Sequence, residues 1–271
     1  MRIESTTDAA LFQRRTVDFL SRDPLRHTVI ATLLERYVSG LVADAALFVS
    51  MHADGAVVGV GLRTPGRPFH LGDMPHAVIS GLVRFLSTKT PDLPGVAGVP
   101  DAALAFARQW QVVQGKAFRH DGLERLYRLG ELRIPTVSGA AHVAVDADAD
   151  LCAQWSDVMQ QETGIGMDPG SVAARIALGR WWLWTDGDRP VAMAGHQERA
   201  FGWTRTGPVY TPPEYRSHGY ASALTAHISK TLRAEGSQVC LFTDLANATS
   251  NKIYQAIGYE PVRDFVTYEF D

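Results

Sequence analysis

Cysteine is scarce in this chain, and neither sign of charge dominates. Only Cys152 and Cys240 are present, and neither stands beside a second cysteine or a histidine pair at metal-ligand spacing. A disulfide framework and a structural metal site therefore drop out, and the two thiols read as inert core residues in a reducing compartment. With 26 basic and 29 acidic side chains the formal charge is -3, so there is no polybasic surface for nucleic acid or for a membrane. No apolar run approaches the ~20 residues that cross a bilayer, and the opening MRIESTTDAALFQRR holds acids and no apolar leader core. The expectation is a cytoplasmic protein without a metal, a nucleic-acid partner or a membrane partner. What is present is 271 residues with 46% apolar content, enough for two domains with real cores.

From Asp8 to Val38 apolar residues recur at helical spacing with a break at Asp23-Pro24, giving two helices. Apolar runs over 45–51 and 57–62 flank Asp54-Gly55, a hairpin signal. A short strand over 68–71 leads into an amphipathic helix over 76–87, with Val78, Ile79, Leu82, Val83 and Leu86 on one face. A strand over 95–99 follows, then a helix over 102–110 with Asp101 as its cap, then closing strands over 116–118 and 125–134. The small, polar stretch 135–141 fits a linker, which places one domain over 1–135 and a second over 136–271.

The second half repeats the order of the first. A strand at 142–145 precedes helices over 148–163 and 168–179, the latter opening on the cap-and-proline pair Asp168-Pro169. Strands over 181–184 and 190–194 flank Asp186-Gly187-Asp188, and Trp181, Trp182 and Trp184 alternate across the first of them, reading as core on one face and a domain interface on the other. A strand over 204–210, a helix over 218–234, a strand over 238–243, a short helix over 249–256 closed by Gly258 and a strand over 261–270 complete it. Element order alone implies two copies of one α+β unit.

Between the 204–210 strand and the next helix lies Tyr215-Arg216-Ser217-His218-Gly219-Tyr220-Ala221. A glycine at a helix start exposes N–H groups that have no intrahelical acceptor, and the helix dipole adds positive potential. Arg216 adds a charged donor, so the stretch reads as a cradle for a diphosphate. Arg216-x-x-Gly219-x-Ala221 at this junction resembles the motif of the GNAT superfamily of acetyl-CoA-dependent N-acetyltransferases. The downstream strand, Asn247 or Asn251, Tyr254 and Gly258-Tyr259 extend the resemblance over about 142–271.

The resemblance implies a mixed, mostly antiparallel central sheet flanked by helices in each of two tandem GNAT-like domains. It also implies acetyl-CoA as co-substrate and a primary amine of a small molecule or peptide as acceptor, attacked directly in a ternary complex. On matching positions, the backbone of Val209, Tyr210 and Thr211 would bond the pantetheine arm, and Arg216, Ser217, His218, Gly219, Tyr220 and Ala221 would hold the pyrophosphate. Asn247 and Asn251 would touch the cofactor. Tyr254 would stand near the thioester sulfur, and a phenol can give a departing thiolate its proton. The base is left among Glu198, His196, Asp244 and Glu162, with Glu198 named first.

In the first half the equivalent loop, Leu71-Gly72-Asp73-Met74-Pro75-His76, lacks the motif. Asp73 sets a carboxylate where the anion should sit and Pro75 removes a donor, so this half reads as a degenerate copy that supports the other. A protein that holds acyl-CoA without turnover is the alternative from a different class. Neither the acceptor nor the oligomeric state is written in the residues.

Overall fold

The computed structural model describes residues 1–271. It divides into two compact units, one made of Met1–Leu126, Thr243–Ala246 and Val262–Asp271, the other of Tyr127–Phe242 and Asn247–Pro261.

The first unit opens with β1 (Arg2–Thr6), α1 (Ala9–Leu20) and α2 (Thr28–Val38), followed by the hairpin β2 (Leu47–Ala53) and β3 (Ala56–Arg63). Asp8 caps α1 by accepting from the Leu11 N–H at 2.9 Å. Asp54 and Gly55 both adopt positive φ, 51° and 80°, which is what a two-residue hairpin turn with the right-handed strand twist demands. Then come β4 (Phe69–Leu71), α3 (His76–Lys89), β5 (Gly95–Gly98), α4 (Pro100–Gln114) and β6 (Phe118–Leu129). The strands lie in the order β1-β2-β3-β4-β5, antiparallel except for the parallel pair β4–β5. The core stacks Phe69 on Phe106, Phe106 on Trp110 and Trp110 on Phe270, with ring centroids 6.3, 5.8 and 5.4 Å apart.

Three local expectations are corrected here. β1 was not anticipated, because an edge strand with most of its surface half-exposed has no apolar run to announce it. The cap of α4 is Val99, and Asp101 lies in the first turn, where its carboxylate faces the positive helix end without capping it. The two closing strands are one strand, β6, whose polar middle is held by cross-strand pairs of Arg119 with Glu269 and of Arg125 with Asp264.

The second unit repeats this plan: β7 (Ala140–Val143), α5 (Ala149–Thr163), α6 (Pro169–Ala177), β8 (Trp181–Asp186), β9 (Arg189–His196), β10 (Trp203–Tyr210), α7 (Tyr220–Ala234), β11 (Gln238–Asp244), α8 (Ala248–Ala256) and β12 (Tyr259–Phe270). The strand order is β7-β8-β9-β10-β11, again antiparallel except for the last, parallel pair. Both units therefore share element order, strand order and strand sense. Period-two alternation along β8 sends Trp181 and Leu183 to the α5–α6 core with Met193 and Tyr210, and Trp182 and Trp184 to the α7–α8 core with Leu224, Ile228 and Tyr254.

The last strand does not follow a single cut at 135/136. β12 pairs antiparallel with β5, Val266 opposite Gly98, and residues 262–271 belong to the first unit. A strand's own residues fix which of its faces is buried, not which strand it lies beside.

Gly258 follows α8 with φ 101°, and its carbonyl accepts from the Gly130 N–H at 2.9 Å. A Cβ at Gly258 would lie 1.8 Å from the Glu131 carbonyl oxygen. Gly258→Ala is therefore expected to destabilise the protein by at least about 3 kcal/mol, lowering the melting temperature by roughly 6 °C or more. A melting curve superimposable on the parent's would contradict this close approach.

Candidate functional site

The site begins where β10 and β11 separate. Their parallel pairing runs from Trp203 opposite Gln238 to Thr206 opposite Leu241, while β10 itself continues to Tyr210. On its other edge β10 carries a bulge between Thr206 and Val209, after which Val209 lies opposite Ala194 and Tyr210 opposite Met193. A bulge bends its strand, so beyond Thr206 one edge of β10 turns away from β11 with its backbone groups open. The Oγ1 hydroxyl of Thr211, just past the strand, is buried without a partner in the chain.

A single 3-10 turn (Pro213–Tyr215) then leads to an extended Arg216, and α7 starts at Tyr220, two residues later than its apolar periodicity suggested. The delay has a backbone cause: Ser217 and Gly219 both adopt positive φ, 67° and 83°. The first α7 bond runs from the Ala223 N–H to the Gly219 carbonyl at 3.0 Å, and Gly219 caps with no side chain, so the first N–H groups of the helix have no intrahelical acceptor. A Cβ at Gly219 would meet Val137 Cγ2 at 3.1 Å.

The loop is braced from within. Tyr220 is buried and donates its hydroxyl to Asp186 at 2.5 Å, and Asp186 also accepts from the Ser138 hydroxyl at 2.9 Å. These bonds, Tyr220's first, hold the Asp186 carboxyl below its ordinary range. The His218 ring stacks on Tyr220 with centroids 5.5 Å apart, its Nδ1 2.7 Å from the Arg216 carbonyl oxygen. Arg216 donates from Nε to the Thr211 carbonyl at 3.0 Å and from Nη2 to Glu162 at 2.5 Å.

Tyr254 projects from α8 into the α7–α8 core, 8% exposed, edge-on to Tyr259 with centroids 6.0 Å apart. Burial raises its phenol pKa well above the ordinary value. Tyr259, pushed up to about 12 by burial, bonds the Ser229 hydroxyl at 2.7 Å.

Other candidates have partners already. Asn247 caps α8 by accepting from the Ser250 N–H at 2.9 Å, and Asn251 accepts from the Tyr127 hydroxyl at 2.9 Å while donating to the Asn247 carbonyl at 2.8 Å. Glu198 forms an ion pair with Arg180 and is largely covered. His196, opposite Thr206, is driven toward its neutral form by burial.

Sequence reading missed Arg175, a buried arginine of α6. It donates to Gln197 Oε1 at 2.8 Å and reaches the Gly207 carbonyl, inside the bulge, at 3.4 Å. The signal was available: Arg175 stands three residues after Val172, on the apolar stripe of its helix. Ser138 and Asp186 gave no such sign, since both are small polar residues in turn-like stretches.

In the first unit the loop equivalent to this cradle is filled by its own side chains. The Asp73 N–H donates to His27 Nε2 at 3.0 Å and the Asp73 carboxylate pairs with Arg26 at 2.9 Å. With Pro75 lacking an N–H, this loop does not fit a phosphate.

Residues 185–268 match the family model described as FR47-like protein. No curated protein matches the chain by sequence. Among solved structures, one described as an acetyltransferase of the GNAT family from Colwellia psychrerythraea aligns over the whole of both chains at 11% identity, with a TM-score of 0.63. A GCN5-related N-acetyltransferase from Sphaerobacter thermophilus aligns over 98% of this chain and 95% of its own at 15% identity, TM-score 0.64. A tandem GNAT protein from the clavulanic acid biosynthesis pathway aligns over 100% and 98% at 13% identity, TM-score 0.57. No helix is long and apolar enough to cross a membrane, and no cluster of three or more His, Cys, Asp or Glu is placed to hold a metal. The doubled unit, the parted strands and the glycine-led helix start thus make this chain a tandem GNAT fold, with its FR47-like match in the second half.

Proposed function

We propose that the chain is an acetyltransferase that moves an acetyl group from acetyl-CoA to an amine, with the chemistry in the second unit and the first in a supporting role. The observation that carries this reading is the pairing of an open β10 edge with a helix start whose N–H groups face no acceptor. The residues fit the co-substrate. Backbone N–H groups from Ser217 to Ala221 suit a pyrophosphate, Gly219 leaves the backbone approachable, and the edge of Val209 and Tyr210 with the orphaned Thr211 hydroxyl suits an amide-bearing arm. The thioester supplies the activated acetyl group when bound.

Tyr254 would stabilise the departing thiolate by donating a hydrogen bond, because burial keeps its phenol protonated far above physiological pH. Arg175, by holding the Gly207 carbonyl, fixes the bulge that opens the edge. Glu198 is a poor fit for the base, since its carboxylate is engaged by the Arg180 guanidinium and largely covered. A neutral amine reaching the site through water would not require it.

Isothermal titration with acetyl-CoA, followed by coenzyme A release with a panel of primary amines, tests the reading. Binding with amine-dependent release is the expected result. Binding without release reduces the protein to an acyl-CoA holder, and absence of binding overturns the proposal.

A further inference from the structure

The arginine of the cradle is not free to meet a phosphate. Its guanidinium lies over the Tyr210 ring, 5.9 Å from the centroid, while Nη2 donates to Glu162 near the end of α5 at 2.5 Å. Trp155 stands seven residues before Glu162, two turns away on the same helix face, and its ring lies 6.4 Å from that of Tyr210. A carboxylate beside paired aromatic faces is a cation site, and Arg216 currently serves as its cation. Burial first, and the Glu162 charge second, raise the Tyr210 phenol, so the carboxylate acts on that ring.

We propose that Glu162, Tyr210 and Trp155 form a cation-binding site for the acceptor, which Arg216 vacates when the cofactor's phosphates draw it into the cradle. This rests on the acetyl-CoA reading above. An incoming diphosphate carries more negative charge than one carboxylate and offers Arg216 several oxygens, so the exchange favours the phosphate. Glu162 is then left without its partner beside two aromatic rings. The amine that attacks must be neutral, so the group held there is a second cationic centre of the acceptor. The class is a diamine or a basic peptide, and cofactor binding precedes acceptor binding. Trp155, Val158 and Met167 of the adjoining apolar cluster would line the methylene stem between the two nitrogens.

Binding alone tests this, without turnover. Coenzyme A is titrated into the parent protein and into Glu162→Gln, and 1,4-diaminobutane and butylamine are titrated into each with and without saturating coenzyme A. Both partners of this ion pair are substantially solvent-exposed, 47% and 33%, so removing the competing carboxylate should tighten coenzyme A by about threefold to fivefold. The diamine should bind the parent only with coenzyme A present and more tightly than butylamine, and Glu162→Gln should lose that preference while Glu162→Asp keeps part of it. Unchanged coenzyme A affinity in Glu162→Gln, or diamine binding indifferent to coenzyme A, overturns the exchange. Failure of the parent to bind coenzyme A at all sinks the cofactor reading instead, so the two failures are told apart.

Discussion

Gly219→Glu is expected to weaken acetyl-CoA binding by at least about a hundredfold, equivalent to roughly 2.7 kcal/mol, while the protein stays folded. Two causes act together. Gly219 sits at φ 83°, a conformation that costs an L-residue about 1–2 kcal/mol, so the loop either strains or abandons the geometry that aims its N–H groups. The added carboxylate then stands at the positive end of α7, in the proposed pyrophosphate cradle, where it would repel the cofactor's phosphates. Gly219→Ala separates the causes, since it keeps the strain and the 3.1 Å approach to Val137 but adds no charge. It should show a loss about tenfold smaller than that of the glutamate. Titration calorimetry reads the affinity, and far-ultraviolet circular dichroism checks the fold. An unaltered dissociation constant in Gly219→Glu would remove the cradle from the account.

The second large effect is on turnover. Tyr254→Phe should lower kcat by about a hundredfold, within the range ascribed to a positioned proton donor, with acetyl-CoA affinity little changed. The ring and its edge-on contact with Tyr259 survive the change, and no hydrogen bond within the chain is cut, so melting should stay close to the parent's. The direction of the pKa shift adds a pH signature. A phenol raised by burial stays protonated beyond the ordinary value near 10, so a rate that needs the protonated form persists at alkaline pH up to the limit set by stability. A phenylalanine variant as fast as the parent would return Tyr254 to a packing role.

Most of the fold could be read along the chain because its signals are local. Asp54-Gly55 announced a hairpin and formed one, and Asp168-Pro169 announced a helix start, with Asp168 accepting from the Ser171 N–H. The repeat was legible in element order, and the shared strand senses of the two units now support it. What escaped was non-local or polar. β1 had no apolar run, and one neighbour of β12, the strand β5, is 160 or more residues away in sequence, Val266 against Gly98. At the site, the Arg216 motif stood out, yet nothing in it told that Glu162 would hold the arginine or that Asp186 and Ser138 would brace Tyr220. Such bonds depend on where loops meet in space, and single polar residues in turns carry no periodicity to reveal that.

The exchange of β12 into the first unit bears on inheritance. Two repeats that each kept their own last strand could be parted, shuffled or lost one at a time. Here a break at 135/136 would leave the N-terminal fragment without the strand that pairs with β5, and would leave the C-terminal fragment carrying residues 262–271 with no ladder to join. Neither copy is then a module in its own right.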